Sequence, residues 1–554
     1  MANPVIQETD TVDHAETPST VEKGGDTKIK ATGSPEEEFE IGASEKLIGN
    51  ATAQELEAIG NGLDLAYAEK ASLVGNALQN IGMNAWQYKM WAVCGLGWIV
   101  DNIAAYGPSV TYTPVANEFV IKNVALTGIA YNLGAFIGAM FWGPMADIIG
   151  RRLAFNTTLF IVGIFLIAAG GSNNIYTYGG LMSVVGFGSG GNVPVAATVY
   201  LEFVPSSGFY LLTMLSAWWA IGAVLDALIA WAFVGNFSCD LTVTTICAKA
   251  DNMGWRYTLF TLGALVIVLA LIRLFVFRIP ESPYFLLSRG RDAEVVEVVQ
   301  YLASQSRKPI SLTLDDFRRI NNAHGRPTND STVKPLLKDI LGAHFGSMST
   351  SRLRVLWGSK KLALHTSFIV WIWAAIGVGY PLYTYFLPLY LEAKFKAISN
   401  DNSQADTYKQ YCYIAACTVP GPIAASFAIE TRLGRRYCMA ISTILSGVLL
   451  YLSTIASTNG GVVGFNCAAT AVINFMFAIQ YAYTPESFPS PIRATANGLC
   501  SMIGYVCGLA APVISSQTGV STNVPVYVSG ALFLVTGILM FALPFETNPS
   551  MAGY

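Results

Sequence analysis

Charge is what this sequence has least of. Asp, Glu, Lys and Arg make up 12% of its 554 residues, against about 25% in a soluble globular chain. A soluble surface on a domain of this size is therefore excluded. The net charge of -3 leaves no basic footprint for nucleic acid. The four histidines are scattered without metal-ligand spacing, so no metal site is expected. No G-x-S-x-G, P-loop or H-E-x-x-H pattern stands in a credible context, and neither an enzyme nor a cofactor is expected. No apolar run follows Met1, so no cleaved signal peptide is expected.

What the chain has in excess is apolar length. Hydrophobic residues make up 53%, with a mean hydropathy of +0.45. From Trp91 onward the apolar runs are about 20 residues long, enough to cross a bilayer as helix. Their spacing predicts spans near 91–113, 124–145, 154–171, 177–203, 211–235 and 256–277, then 363–391, 411–429, 437–457, 461–483, 495–516 and 526–545. The expected fold is an all-α membrane protein of twelve transmembrane helices in two six-helix halves. Its parts are a polar, partly disordered tail (1–80), the halves (81–277 and 362–547), a linker between them (278–361) and a short tail (548–554).

Orientation follows from the basic residues. The linker carries fourteen Lys/Arg against eight Asp/Glu. The positive-inside rule places it and both termini in the cytosol. Seven cysteines lie in or beside apolar runs, where Cys serves as a small hydrophobe. Cys239 and Cys247 share a polar loop on the opposite side, and a disulfide between them is left open. Asn236 begins a glycosylation sequon on the same side, close to the membrane.

One short charged turn occurs twice. Gly143-Pro-Met-Ala-Asp147-Ile-Ile-Gly150-Arg151-Arg152 joins the second and third spans, and Glu430-Thr-Arg-Leu-Gly-Arg435-Arg436 stands at the matching place in the second half. The pattern G-x-x-x-D-x-x-G-R-R resembles the loop signature of the major facilitator superfamily. Pro280-Glu281-Ser282-Pro283 resembles a signature of its sugar-porter division, as does Tyr483-Thr-Pro-Glu486-Ser-Phe-Pro489 with Arg493 following. Gly186-Phe-Gly188-Ser-Gly190-Gly191 and Tyr200-Leu-Glu202 are similar to its fourth span. The phrases Gly95-Leu-Gly-Trp98-Ile-Val-Asp101, Trp219-Ala-Ile-Gly222 and Pro544-Phe-Glu546-Thr547 resemble transporters related to the synaptic vesicle proteins. The resemblance implies structural or gating roles for Gly143, Asp147, Gly150, Arg151, Arg152, Glu202, Arg256, Glu281, Glu430, Arg435, Arg436, Glu486 and Arg493.

A carboxylate at bilayer depth costs roughly 2.5 kcal/mol or more, which makes it a functional candidate. Asp101 in the first span and Asp226 in the fifth are the two, as carriers of a coupled proton. Where proton-coupled relatives carry a fourth-span Arg, this chain has Met182. Arg273 and Lys122 stand near span ends, and Arg273 is expected to snorkel. The seventh span has aromatics and a Gly/Pro break in place of the sugar porters' glutamines. Asn102, Asn192, Trp373, Tyr380, Tyr383, Asn474 and Gln480 are the candidate cavity residues.

The expected function is secondary transport of a small organic solute (a sugar, polyol or cation-like metabolite) by alternating access with protons. An efflux carrier of the same fold, or a transport-poor receptor or vesicle-type protein, remains open. The expected partners are the solute, protons and the lipid bilayer, with no nucleic acid, and the chain is expected to be a monomer. The plasma membrane is the expected site, with vacuole or vesicle as alternatives.

Overall fold

The computed structural model describes residues 65–121, 127–239, 247–275, 277, 279–306, 308, 312–324, 356–398, 403–488, 490–519 and 522–546. Among them every regular element is a helix. Helix α1 (Leu65–Ile81) precedes the membrane region. The first span is α2 (Ala85–Tyr106), continued through a tight turn into α3 (Tyr112–Phe119). The second and third are α4 (Thr127–Ile149) and α5 (Arg151–Gly170). The fourth is α6 (Ile175–Ser189) with α7 (Asn192–Phe203), the fifth α8 (Tyr210–Met214) with α9 (Ser216–Phe237), and the sixth α10 (Gly254–Phe275).

The linker holds α11 (Pro283–Ser288), α12 (Asp292–Ser306) and α13 (Leu314–Ala323). The second half follows the same plan. Its spans are α14 (Lys360–Thr384) with α15 (Leu387–Ile398), α16 (Gln404–Ala416) with α17 (Pro420–Ala428), α18 (Gly434–Ile455), α19 (Asn459–Glu486), α20 (Ser490–Gly508) with α21 (Ala510–Thr518), and α22 (Val524–Met540). The protein therefore has twelve spans in two six-helix halves. Eight are long and apolar enough to cross a bilayer by length and composition alone, and shorter apolar helices run over Gly128–Trp142 and Val524–Met540.

Local sequence explains where these helices start. Asn84 caps α2 by accepting from the Trp86 N–H, Ser359 caps α14 through Leu362, and Thr458 caps α19 through Gly461. Small residues explain how closely they pack. A Cβ at Gly134, Gly186 or Gly190 would collide with the carbonyl oxygen of Ser183, Tyr131 or Ala135. The second and fourth spans thus touch backbone to backbone, as small residues allow in membranes.

The seventh span departs from the sequence expectation. Pro381 lies inside α14, and the interruption comes only after Thr384. Proline leaves the Gly377 carbonyl without its helical donor, and that oxygen faces Gly508 of the eleventh span, 3.4 Å from where a Cβ would stand. The missing side chains on both helices let the proline be absorbed without a break.

The tail and linker helices pack together on the face that holds the two charged turns. Lys70 pairs with Asp292 at 2.5 Å, His324 approaches Glu69 at 3.0 Å, and Lys308 donates to the Asn80 carbonyl. The halves meet where the second span packs on the eleventh and the fifth on the eighth and tenth.

Candidate functional site: a carboxylate and a circuit of rings between the halves

Asp101 is buried at the middle of the first span. Its Oδ2 accepts from the Asn192 amide at 2.9 Å, and its Oδ1 from the Ser189 hydroxyl at 3.2 Å. Tyr131 of the second span holds Ser189 at 3.1 Å. Asn192 donates also to the Gly97 carbonyl, at 3.1 Å. Trp98, one turn before Asp101, meets Tyr481 of the tenth span at 5.3 Å between ring centroids. The carboxylate thus sits where both halves converge.

Arg273 stands behind this group. It is 1% exposed, its guanidinium lies over the Phe155 ring, and it makes no hydrogen bond among the described residues. Gly97 explains how it fits. A Cβ there would stand 3.1 Å from the Asn192 amide nitrogen and 3.3 Å from an Arg273 terminal nitrogen. The Asn192 amide and the Arg273 guanidinium thus both come close to Gly97, on the span that carries Asp101. This overturns the expectation that Arg273 snorkels. The buried cation of this region thus comes from the sixth span, where the fourth has Met182.

Aromatic rings close a circuit across the interface beside Asp101. Trp98 meets Trp219 at 6.4 Å between centroids, and Trp219 meets Tyr106 at 6.0 Å. Tyr106 meets Tyr380 of the second half at 5.9 Å, and Tyr380 meets Phe477 at 4.4 Å. Phe477 stacks on Tyr481 at 5.9 Å, and Tyr481 returns to Trp98 at 5.3 Å. Trp373 packs on Tyr481 from outside the circuit at 5.2 Å, with its indole N–H donated to Thr484.

The two charged turns are built alike. Gly150 has φ +99° and Gly434 φ +66°, a region that glycine enters without strain. Each turn starts a helix whose first N–H groups meet a carboxylate. Glu281 accepts from the backbone N–H groups of Arg151 and Arg152, and Glu546 from those of Arg435 and Arg436. Each first arginine then pairs with a second carboxylate, Arg151 with Glu202 at 2.9 Å and Arg435 with Glu486. Both Arg–Glu pairs recur 284 residues apart, so the repeat extends from the turns to their partners.

Comparison with known proteins agrees with this duplicated architecture. The description of the Major Facilitator Superfamily matches residues 95–418. The chain belongs to the major facilitator superfamily. It is 42% identical to the major facilitator-type transporter hxnZ of Emericella nidulans, over 87% of this chain and 88% of that protein. It is also 42% identical to the MFS siderochrome iron transporter 1 of Ceriporiopsis subvermispora, over 87% and 92%. A synaptic vesicle 2-related protein of Rattus norvegicus shares 25% identity over 86% and 81%. Among solved structures, the proton:xylose symporter XylE superposes with a TM-score of 0.61 at 13% identity, covering 84% of this chain and 97% of that one. That likeness shows the fold.

Within the superfamily's frame the other expected residues separate. Tyr380 belongs to the ring circuit, whereas Tyr383 donates to Asn466 at 2.6 Å inside the second half. Asn474 donates to the Thr470 carbonyl of its own helix. Gln480 is 1% exposed and its amide has no partner among the described residues. The Asn102 side chain packs against Gly222. Asp226 lies near Gly107, two helical turns along the fifth span from Trp219, with neither oxygen hydrogen-bonded among the described residues. It is separate from Asp101 and its amide.

Glu430 is exposed, and Glu546, which sequence reasoning passed over, takes the role of anchoring the second turn. The side chains of Asp147 and Arg493 and the surroundings of Gly143 lie outside the described residues, as does Lys122. Arg256 stands at the end of the sixth span away from the turns. There it makes two hydrogen bonds to Glu118, at 2.7 and 2.8 Å. On that same face Cys239 and Cys247 form a disulfide with Cα atoms 6.0 Å apart, and Asn236 is exposed with its amide donated to Ala232.

Proposed function

We propose that this membrane transporter is a secondary carrier that moves a small organic solute by alternating access, with Asp101 as its proton site. The observation that carries the reading is the position of Asp101, buried where the first half meets the second and hydrogen-bonded to Asn192, with the buried Arg273 close to Gly97 on the same span. A carboxylate at that depth is costly unless it is paired or has a function. Ionised, Asp101 is balanced by the buried charge of Arg273. Protonated, it leaves Arg273 without a counter-charge, so the first, fourth and sixth spans have reason to rearrange. One group thereby links proton binding to packing between the halves, as a coupled carrier requires.

The basic linker and both turns are assigned to the cytosol, with the disulfide and Asn236 opposite. The paired turns brace the cytosolic ends of the two halves, and each Arg–Glu pair lies within one half, so it travels with that half when the halves separate on that side. The carrier acts as a monomer, and the plasma membrane is its assigned site. Export by the same cycle differs only in which gradient is used.

Reconstitution in proteoliposomes tests the proton site. Addition of a carried solute acidifies the lumen of wild-type vesicles under an inward proton gradient. Asp101→Asn keeps exchange of solute for solute and loses the pH signal. An equal pH signal from wild type and Asp101→Asn sinks the assignment.

A further inference from the structure

We propose that the circuit of six rings is the recognition site for a solute with a flat aromatic or heteroaromatic ring, with the Gln480 amide reading a donor and acceptor at its edge. The inference rests on the transport reading above and narrows its substrate. Trp98, Tyr106 and Trp219 come from the first half, Tyr380, Phe477 and Tyr481 from the second. Any motion that parts the halves must break the contacts Tyr106–Tyr380 and Trp98–Tyr481. A solute seated there is then under a specific demand, since it must replace ring-to-ring contacts that the protein makes with itself.

Geometry says which solutes meet that demand. Trp98–Tyr481, Tyr106–Tyr380, Tyr106–Trp219 and Trp98–Trp219 are edge-to-face, with interplanar angles of 74°, 80°, 82° and 79°. Such contacts join the positive edge of one ring to the negative face of another. A flat aromatic solute offers both an edge and a face and restores what it displaces. A saturated ring of the same size offers neither. A cation attracts ring faces too, and choline is the comparator that separates the two classes; Asp101 already accepts two hydrogen bonds. Asp226 lies two helical turns beyond Trp219, beside Gly107, the residue after Tyr106 of the circuit, with neither oxygen hydrogen-bonded among the described residues.

Gln480 is the second, independent observation. It is 1% exposed, with neither amide atom partnered among the described residues. Helical spacing puts positions 477, 480, 481 and 484 on one side of α19, and Phe477 and Tyr481 there belong to the circuit. An amide has both donor and acceptor, so its match is a group with both, such as a carboxamide or a ring lactam.

Purified full-length protein in lipid nanodiscs, read by thermal shift, tests this with matched pairs. The probes are benzamide against cyclohexanecarboxamide and 2-pyridone against 2-piperidone, with D-xylose and choline as comparators. The aromatic member of each pair binds at least about tenfold tighter than its saturated partner. Phe477→Leu abolishes that ratio while Phe477→Tyr keeps it. Gln480→Leu weakens both members of each pair alike and leaves the ratio intact. Equal binding within pairs, preference for xylose or choline, or no shift with any probe overturns the proposal. Counterflow in proteoliposomes separates the two readings. Aromatic preference without any movement of solute sinks the transport reading and leaves the site. Transport of xylose without aromatic preference sinks the site and leaves the carrier.

Discussion

At the scale of single residues, the ion pair on the face away from the turns gives the clearest energetic case. Glu118 and Arg256 are 9% and 2% exposed in their side chains. Burial alone would raise the Glu118 carboxyl. Hydrogen bonds from Arg256 and Trp255, with the charge of Arg256, outweigh it and hold the group below its ordinary 4.5. A carboxyl depressed in the folded state contributes stability that is fully present above 4.5 and lost as pH falls through the folded value. Glu118→Gln should therefore cost about 3 kcal/mol at neutral pH, because it strands a buried guanidinium. Melting temperatures from pH 7 down to pH 3 check this. Wild type loses stability along the acid limb, and the variant starts lower and stays flat. A wild-type curve already flat over that limb overturns the pair's role.

Sequence showed Arg256 and passed over Glu118, because their pairing joins two loop-proximal positions 138 residues apart. Asp101 was legible as a lone carboxylate in an apolar run. Arg273 was misread for a physical reason. Near a span's end, a long basic chain reaches water in an isolated helix. Here it folds inward over Phe155, because Gly97 clears room on the first span. That room exists only once three spans pack. The ring circuit was hidden for the same reason. Its members were visible as aromatics, and the order in which they meet is a property of four packed spans.

At the scale of elements, apolar length made most of the spans legible, because a bilayer fixes the length of helix needed to cross it, and eight helices meet that length and composition on their own. The paired turns were legible too, through glycine at a position that needs positive φ. The seventh-span break was not. Helix continuity through Pro381 depends on glycines of another span, and periodicity in one segment carries no trace of them.

Close packing of the second span on the fourth yields a sharp contrast between two glycines of α6. A Cβ at Gly186 would strike the Tyr131 carbonyl oxygen, and at Gly180 it would meet nothing within 4 Å. Gly186→Ala should destabilise by about 1–3 kcal/mol, since backbone must move. Gly180→Ala should not destabilise and should gain up to about 1 kcal/mol from helix propensity. Thermal unfolding of the two variants in one detergent decides it. Equal melting temperatures would mean that the spans are not in backbone contact.

At the scale of the whole molecule, the cycle requires that the halves part on one side while they meet on the other. On the face opposite the linker they are joined where the fifth span meets the eighth. The Tyr408 hydroxyl donates to the Val110 carbonyl at 2.7 Å, and a Cβ built on Gly235 stands 3.5 Å from that of Ala405. That separation suits a disulfide, whose Cβ atoms lie about 3.5–4.5 Å apart. The double variant Gly235→Cys with Ala405→Cys should therefore cross-link on mild oxidation. If solute leaves or enters through this face, the cross-link should cut transport to background, and reductant should restore it. Each single variant and the wild type, which keeps its own Cys239–Cys247 bond, serve as controls for the oxidant. The locked protein should still bind solute offered from the linker face, because the ring circuit is nearer the centre than the lock. Undiminished transport by fully cross-linked protein would show that this seam stays closed throughout the cycle, and alternating access would need a different pair of moving surfaces.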